Sequence, residues 1–407
     1  MSDERVVIVG AGHAGGSAAA FLRQYGHAGP IVLIGEEPVL PYQRPPLSKA
    51  WLKGEADEEA LQLRPADYYA AENIELHLGV HALSLHRTSR TVHLSNGAVV
   101  PYDRLILATG SRARRLACPG AHLHPVLELR TAHDAERLKQ ALQPGRRLAV
   151  VGGGYVGLEA AASARALGVK VTIIEREPRV LARVAHPTLS EFFEGYHRAQ
   201  GVEILTGAGV AGFEGEAGQV NAVLLEDGRR IPCDVVLVGV GGVAEASLAL
   251  QAGLEVDGGV VVDGAARTSD PAVYAIGDVT RRPLPLYDTE MRLESVPNAL
   301  EQAKQAAADI CGTAPPAPEV PWFWSDQYDL KLQIAGVAWQ CDDTVVRGDP
   351  AEARFALFHL REGRIRAVEA VNAPAEFMGG RQLIGAGKLV DATKLADTSV
   401  PMKAVAA

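Results

Sequence analysis

Short, wholly apolar runs recur along the chain, each followed by small residues. Val6 to Val9 run into Gly10, and Ile31 to Ile34 into Gly35. Leu105 to Ala108 run into Gly110, and Leu148 to Val151 into Gly152. Val169 to Ile174, a β-rich stretch broken by Lys170 and Thr172, ends at Glu175. Unbroken runs of four apolar residues are consistent with strands buried on both faces, as in parallel sheets. Alanine-rich stretches follow two of them, Ala14 to Arg23 and Leu158 to Arg165, and read as helices. The alternation predicts parallel strands crossed by helices. Beyond the proline cluster Thr313 to Pro318 the pattern changes. Lys331 to Ala335, Phe355 to Phe358 and Ile365 to Val371 read as strands, and Ala375 to Gly387 as a helix. That predicts an antiparallel sheet with helices on one side, joined by a proline linker.

The residues between strand and helix carry the chemistry. Gly10, Gly12 and Gly15 stand in the order Gly-x-Gly-x-x-Gly directly after the first strand, and Glu36 lies 21 residues beyond Gly15. This spacing suits a dinucleotide. The first glycine makes the tight turn, the second admits a pyrophosphate, and the third lets helix and strand pack closely. The open N–H groups at the helix start face the phosphates. The pattern returns 142 residues later as Gly152, Gly154 and Gly157, with Glu175 a further 18 residues on. Two complete units point to two bound dinucleotides. A carboxylate such as Glu175 accepts from a free ribose 2′-hydroxyl and repels a 2′-phosphate, favouring NADH, although Arg176 stands beside it. His13 falls inside the first fingerprint without an evident partner.

Composition removes other classes. Glycine accounts for 42 of 407 residues without a Gly-X-Y period, which excludes collagen. The net charge of −9 argues against nucleic acid. No run of 18 apolar residues suggests a membrane span. The opening Met1 to Arg5 lacks the pattern of a signal peptide, so the expected location is cytoplasmic. Cys118, Cys233, Cys311 and Cys341 are far apart, so neither a CxxC pair nor a cysteine-rich metal site is expected.

Two further segments, Ala108-Thr-Gly110 and Gly277-Asp278, fall in the order fingerprint, ATG, fingerprint, Gly-Asp. With Pro41 to Lys49, Glu294 to Ala303 and Pro321 to Tyr328, they make the whole chain resemble the FAD-dependent NADH:ferredoxin reductases of bacterial oxygenase systems. The resemblance implies two Rossmann-like dinucleotide-binding domains plus a C-terminal α+β domain. It implies an FAD domain from 1–110 and 240–315, an NAD domain at 111–239 and an interface domain at 316–407. Around FAD it places Ala14, Glu36, Arg44, Lys49, Ala82, Arg130, Asp278, Val296 and Trp324, with Ala82 and Val296 acting through backbone or packing. Around NADH it places Gly152, Gly154, Tyr155, Gly157, Glu159, Glu175, Arg183 and Gly241. Trp322 is left to the core.

The same resemblance implies a mechanism. Hydride passes from NADH to the flavin, with Lys49 paired to Glu159 near the reacting atoms and Tyr155 stacking where nicotinamide arrives. Glu159 also suits the positive end of its helix. Leu40 to Lys49 holds no cysteine, so electrons leave without a thiol relay. The expected acceptor is a [2Fe–2S] ferredoxin serving a cytochrome P450 or a ring dioxygenase. Such ferredoxins are acidic, so a basic patch must oppose the global charge. Candidates are Arg64, Lys304, Lys331 and the pair Arg281-Arg282. The alternatives are an NADH oxidase, a rubredoxin reductase, or a redox sensor like apoptosis-inducing factor.

Overall fold

The computed structural model describes residues 3–407; Met1 and Ser2 of the expected leaderless start lie outside them. Two parallel five-stranded sheets form the body. The first has the order Val273–Ala275, Arg104–Leu107, Val6–Val9, Ile31–Gly35, Ile74–Leu78. Its central strands are buried along their length, which explains their unbroken apolar runs. The second has the order Glu203–Leu205, Lys170–Ile174, Arg147–Val151, Val235–Val238, Val126–Leu127. In both sheets the glycine-rich turn leaves the central strand and enters a helix, His13–Gln24 or Tyr155–Ala166.

The first sheet takes strands from before and after the second in the sequence, so the second is inserted within it. A two-stranded antiparallel ribbon, Ser111–Ala113 against Gly242–Ala244, joins the outgoing and returning segments. The proline cluster at 313–318 has no regular structure. Beyond it lies an antiparallel five-stranded sheet, ordered Trp322–Gln327, Leu330–Gly336, Arg364–Val371, Arg354–Arg361, Asp343–Asp349. The helix Pro374–Ala386 packs against it, burying Phe377 and Ile384 among Val368, Phe358 and Val320. The expected class, two Rossmann-like domains with a C-terminal α+β domain, is the class observed. Among the described residues, no helix is long and apolar enough to cross a membrane.

One core runs between the units. Leu52, from the segment after Pro41 to Lys49, clusters with Leu158 and Ala161 of the second fingerprint helix and with Leu330 and Phe355 of the C-terminal sheet. This shared burial holds the three units in fixed relation around the site.

Candidate functional site

Glycine geometry decides whether the cradles can receive phosphates. Gly10 has φ +112°, and a Cβ there would lie 2.2 Å from the Ala108 carbonyl oxygen. A Cβ on Gly15 would lie 1.9 Å from the Gly10 oxygen. Both positions are packed tight by backbone. The middle glycine differs: a Cβ on Gly12 would meet only the Arg44 guanidinium, at 3.9 Å. The second turn repeats this arrangement. Gly152 and Gly157 are closed by backbone at 2.4 Å, while Gly154 faces open space. Gly12 and Gly154 are also the N-caps of their helices, and neither helix has a side-chain cap. Their first N–H groups are therefore available to an anion. Both cradles fit a pyrophosphate.

Charged groups ring the first cradle. Arg44 donates to Glu37 at 2.9 Å and to the Arg130 carbonyl at 2.5 Å. Arg130 in turn donates to Asp278 at 2.9 Å and to the Ser111 carbonyl. Ser111 donates to Asp278 as well. Asp278 is the second residue of the turn Gly277–Val279, whose Gly277 N–H donates to buried Gln302, and that turn packs on Ala14. Arg44, Arg130 and Asp278, drawn from three distant segments, thus meet beside the first fingerprint. His13 stands there too, with a buried Nδ1 that has no partner among the described residues. Burial lowers its pKa, with Asp278 opposing and Arg44 reinforcing the shift. Glu36 lies at the rim, its carboxylate 3.6 Å from His81 and largely exposed. Ala82 lies on the strand Ala82–His86, and Val296 opens the helix Val296–Ile310 behind the Ser295 cap.

Around the second cradle, Glu175 accepts the Gly153 N–H at 2.6 Å and the Glu177 N–H at 2.8 Å. These bonds fix its carboxylate against the glycine turn. Arg183 reaches Gly241, where a Cβ would stand 3.5 Å from its guanidinium. Tyr155 begins the helix and stacks obliquely on Phe323 at 4.6 Å between centroids. Its hydroxyl is buried without a partner among the described residues, and burial pushes its pKa well up.

Between the cradles lies the expected Lys49–Glu159 pair. Lys49 Nζ stands 2.7 Å from Glu159 Oε2, and the Glu159 side chain is only 6% exposed. A buried pair is costly to desolvate unless its other lone pairs are satisfied. Here they are. Ser48 donates to Oε2 at 2.5 Å, and Ser325 donates to Oε1 at 2.6 Å. Glu159 lies beyond the first turn of its helix, so these side chains hold it, not the helix dipole. Trp324 lies on the opposite face of its strand from Ser325, because successive side chains alternate. It contacts Trp322, which packs on Phe377 and Arg381.

The basic candidates fare unequally. Arg282 is buried and paired with Glu301 at 2.8 Å, so it cannot meet a partner. Arg281 is engaged by Asp257 and Glu290. Arg64 is exposed and lies over the Tyr68 ring, and Lys331 is exposed. Lys304 is half-buried, 3.8 Å from Glu319, which Arg381 also binds at 2.8 Å. Two cations on one carboxylate leave a net positive spot there.

Several participants were not singled out from sequence. Ser48 and Ser325 sit inside Pro41 to Lys49 and Pro321 to Tyr328, and Glu37 follows Glu36, but nothing local assigns them a partner. Ser111 follows the ATG turn. Gln327 joins through Ser325 two residues before it, and His197 joins through a chain-distant contact with Gln327.

The comparisons agree with this geometry. Residues 4–303 match the pyridine nucleotide-disulphide oxidoreductase family model, and residues 322–406 match the reductase C-terminal model. The chain is 52% identical to a probable ferredoxin reductase of Castellaniella defragrans, covering 100% of this chain and 99% of that protein. It is 44% identical to putidaredoxin reductase of Pseudomonas putida, covering 100% and 97%. The crystal structure of a covalent putidaredoxin reductase–putidaredoxin complex superposes with a TM-score of 0.97, at 44% identity, over 100% of this chain and 98% of that one. The chain belongs to the pyridine nucleotide-disulphide oxidoreductase family, and within it to the FAD-dependent NADH:ferredoxin reductases of bacterial oxygenase systems.

Proposed function

We propose that this protein oxidises NADH through FAD and passes single electrons to a [2Fe–2S] ferredoxin that serves a cytochrome P450 or a ring-hydroxylating dioxygenase. The observation that carries the reading is the buried Lys49–Glu159 pair, which bridges the loop beside the first cradle and the helix of the second. A pair placed there serves a reaction between the two dinucleotides. Bound FAD supplies the conversion of a two-electron donor's output into one-electron steps.

The chain's own residues bind, orient and balance charge. Open N–H groups at Gly12 and Gly154 receive the two pyrophosphates, and Arg44 lies across the first as counter-charge. Asp278, held by Arg130, would face the polyol part of FAD, and Glu36 would serve a ribose. Ala14 and Val296 bring backbone close to the cofactor, and Ala82 packs at its edge. Trp324 covers it from the C-terminal sheet. Glu175 accepts from the ribose hydroxyls of NADH, while Arg183 and Gly241 line the path of its other end. Glu159 would orient a nicotinamide amide, Lys49 would supply positive charge beside the flavin, and Tyr155 would cover the nicotinamide's place. Leu40 to Lys49 offers no thiol, so the acceptor must come to the protein surface.

The same reading divides the chain into an FAD domain at 1–110 and 240–315, an NAD domain at 111–239 and an interface domain at 316–407. The two parallel sheets and the antiparallel one support the division. Lys304, with Arg381 beside it, is the best candidate contact for an acidic ferredoxin, and Arg64 and Lys331 are secondary ones. The four free cysteines suit a reducing cytoplasm. The test is anaerobic reduction of purified ferredoxins by NADH at catalytic enzyme. Rapid, enzyme-dependent bleaching of at least one ferredoxin is the expected result, and reduction of ferricyanide alone, with every ferredoxin inert, would overturn the reading.

A further inference from the structure

Glu159 is the end of a chain of hydrogen bonds that starts on another unit of the molecule. Ser325 Oγ lies 2.6 Å from Glu159 Oε1, and Gln327 Nε2 lies 3.2 Å from Ser325 Oγ. Gln327 Oε1 lies 2.8 Å from His197 Nε2, and His197 Nδ1 lies 3.2 Å from the Tyr328 hydroxyl. Ser325, Gln327 and His197 are at most 1% exposed, so water does not compete for these bonds.

The direction of every bond follows from chemistry. A carboxylate beside a lysine ammonium only accepts, so the single Ser325 proton points to Glu159. Ser325 must then accept, and only the amide nitrogen of Gln327 can donate to it. That orientation leaves the Gln327 oxygen toward His197, whose Nε2 must carry the ring proton. His197 Nδ1 is then bare and accepts from Tyr328. Burial lowers the pKa of His197, which agrees with a neutral ring. All donors therefore point one way, toward Glu159, and such aligned chains reinforce one another. The amide in the middle has no titrating proton, so the chain orients and does not conduct.

Its members come from separate units. His197 lies on the helix Pro187–Ala199, and Ser325 and Gln327 lie on the strand Trp322–Gln327 of the C-terminal sheet. The period-two alternation of that strand puts Phe323, Ser325 and Gln327 on the face turned to the second fingerprint helix. On the other side of the carboxylate, Ser48 and Lys49 take Oε2, and Ser163 holds the Ser48 carbonyl at 2.7 Å.

We propose that Ser325, Gln327 and His197 are positioning residues for NADH oxidation: a one-way hydrogen-bond chain that fixes the Glu159 carboxylate against Lys49 between the two dinucleotides. The proposal rests on the role assigned above to Lys49 and Glu159. It gives the C-terminal sheet a part in the NADH half-reaction, besides any part in meeting the ferredoxin.

The test is stopped-flow bleaching of the FAD-loaded enzyme by NADH, which separates the limiting rate from the apparent dissociation constant. Ser325→Ala removes the bond to Glu159 itself. The limiting rate should fall about tenfold, the size expected when a charge-assisted hydrogen bond is lost. Gln327→Met acts two links away, touches neither Glu159 nor cofactor, and should slow the same step about threefold. Because both act through one chain, adding Gln327→Met to Ser325→Ala should cost nothing more. A purely structural role predicts lowered melting temperatures with unchanged limiting rates in the FAD-loaded fraction, and that result overturns the proposal. Independent, multiplying losses in the double variant overturn it as well. Glu159→Gln, run in parallel, separates the two readings. If it slows bleaching while Ser325→Ala does not, the positioning chain alone is wrong. If it leaves bleaching unchanged, the Lys49–Glu159 reading falls and takes the chain with it.

Discussion

Replacing Glu175 by glutamine tests how the second cradle chooses its nucleotide. The carboxylate is held by the Gly153 and Glu177 N–H groups at 2.6 and 2.8 Å, so its position relative to the glycine turn is fixed. A 2′-phosphate brought to roughly 4 Å would meet about 1 kcal/mol of repulsion per unit charge in bulk water and about 4 kcal/mol at an effective dielectric of 20. A nearly dianionic phosphate doubles this to about 2–8 kcal/mol. Glutamine keeps the length of the side chain and one oxygen for the Gly153 N–H, but it gives up the bond from the Glu177 N–H and carries no charge. It also weakens the bonds offered to a ribose by about 1 kcal/mol, the difference between charged and neutral hydrogen bonds. The specificity constant for NADH should fall about fivefold, and that for NADPH should rise about tenfold or more, aided by exposed Arg176. The assay is ferricyanide reduction with each nucleotide, per bound FAD. A NADPH-to-NADH ratio within about threefold of the parent would refute the electrostatic argument, since even the lower repulsion figure predicts more.

Other expectations follow from the same geometry. Gly10→Ala forces a methyl group into the Ala108 carbonyl at a φ of +112°, and the protein should be poorly folded or recovered in low yield. Gly12→Ala meets only the Arg44 side chain; it should keep the parent's apo-protein melting temperature yet weaken FAD binding about tenfold or more, and full FAD retention would remove the cradle assignment. Lys304→Glu should slow ferredoxin reduction at low salt and leave ferricyanide reduction unchanged, and equal loss in both would remove it from the docking face. His27 and His197 are buried, and burial holds both pKa values below the ordinary 6.5. They stay neutral when folded but take up protons when unfolded, so the unfolded state binds more protons below about pH 6.5. Melting temperature should therefore be steady above that pH and fall between roughly pH 6.5 and 5.5; a flat profile would contradict the buried neutral rings.

Local patterns in the sequence reached far into this structure. Both fingerprints are legible because the turn, the helix and the acid lie within some 25 residues and obey one local geometry. The Lys49–Glu159 pair joins residues 110 positions apart, and resemblance, not spacing, brought it forward. What stayed hidden depends on which distant surfaces meet. Ser325 reaches Glu159 across 166 residues and His197 reaches Gln327 across 130, so no periodicity within either segment signals the contact. Arg282 reads like its neighbour Arg281, yet strand alternation buries one against Glu301 and leaves the other beside Asp257 and Glu290. Glu36 stands out as the acid at the strand end, while Glu37 beside it is the one that binds Arg44. A one-residue difference at a strand end is settled by side-chain direction.

The most direct measurement of the central claim is the anaerobic stoichiometry of NADH oxidation with a purified [2Fe–2S] ferredoxin as sole acceptor. The Lys49–Glu159 site and the thiol-free loop together predict two ferredoxins reduced for each NADH consumed, at a rate that rises with ferredoxin concentration and saturates. NADH consumption that proceeds only with oxygen, or that no ferredoxin accelerates, would contradict it.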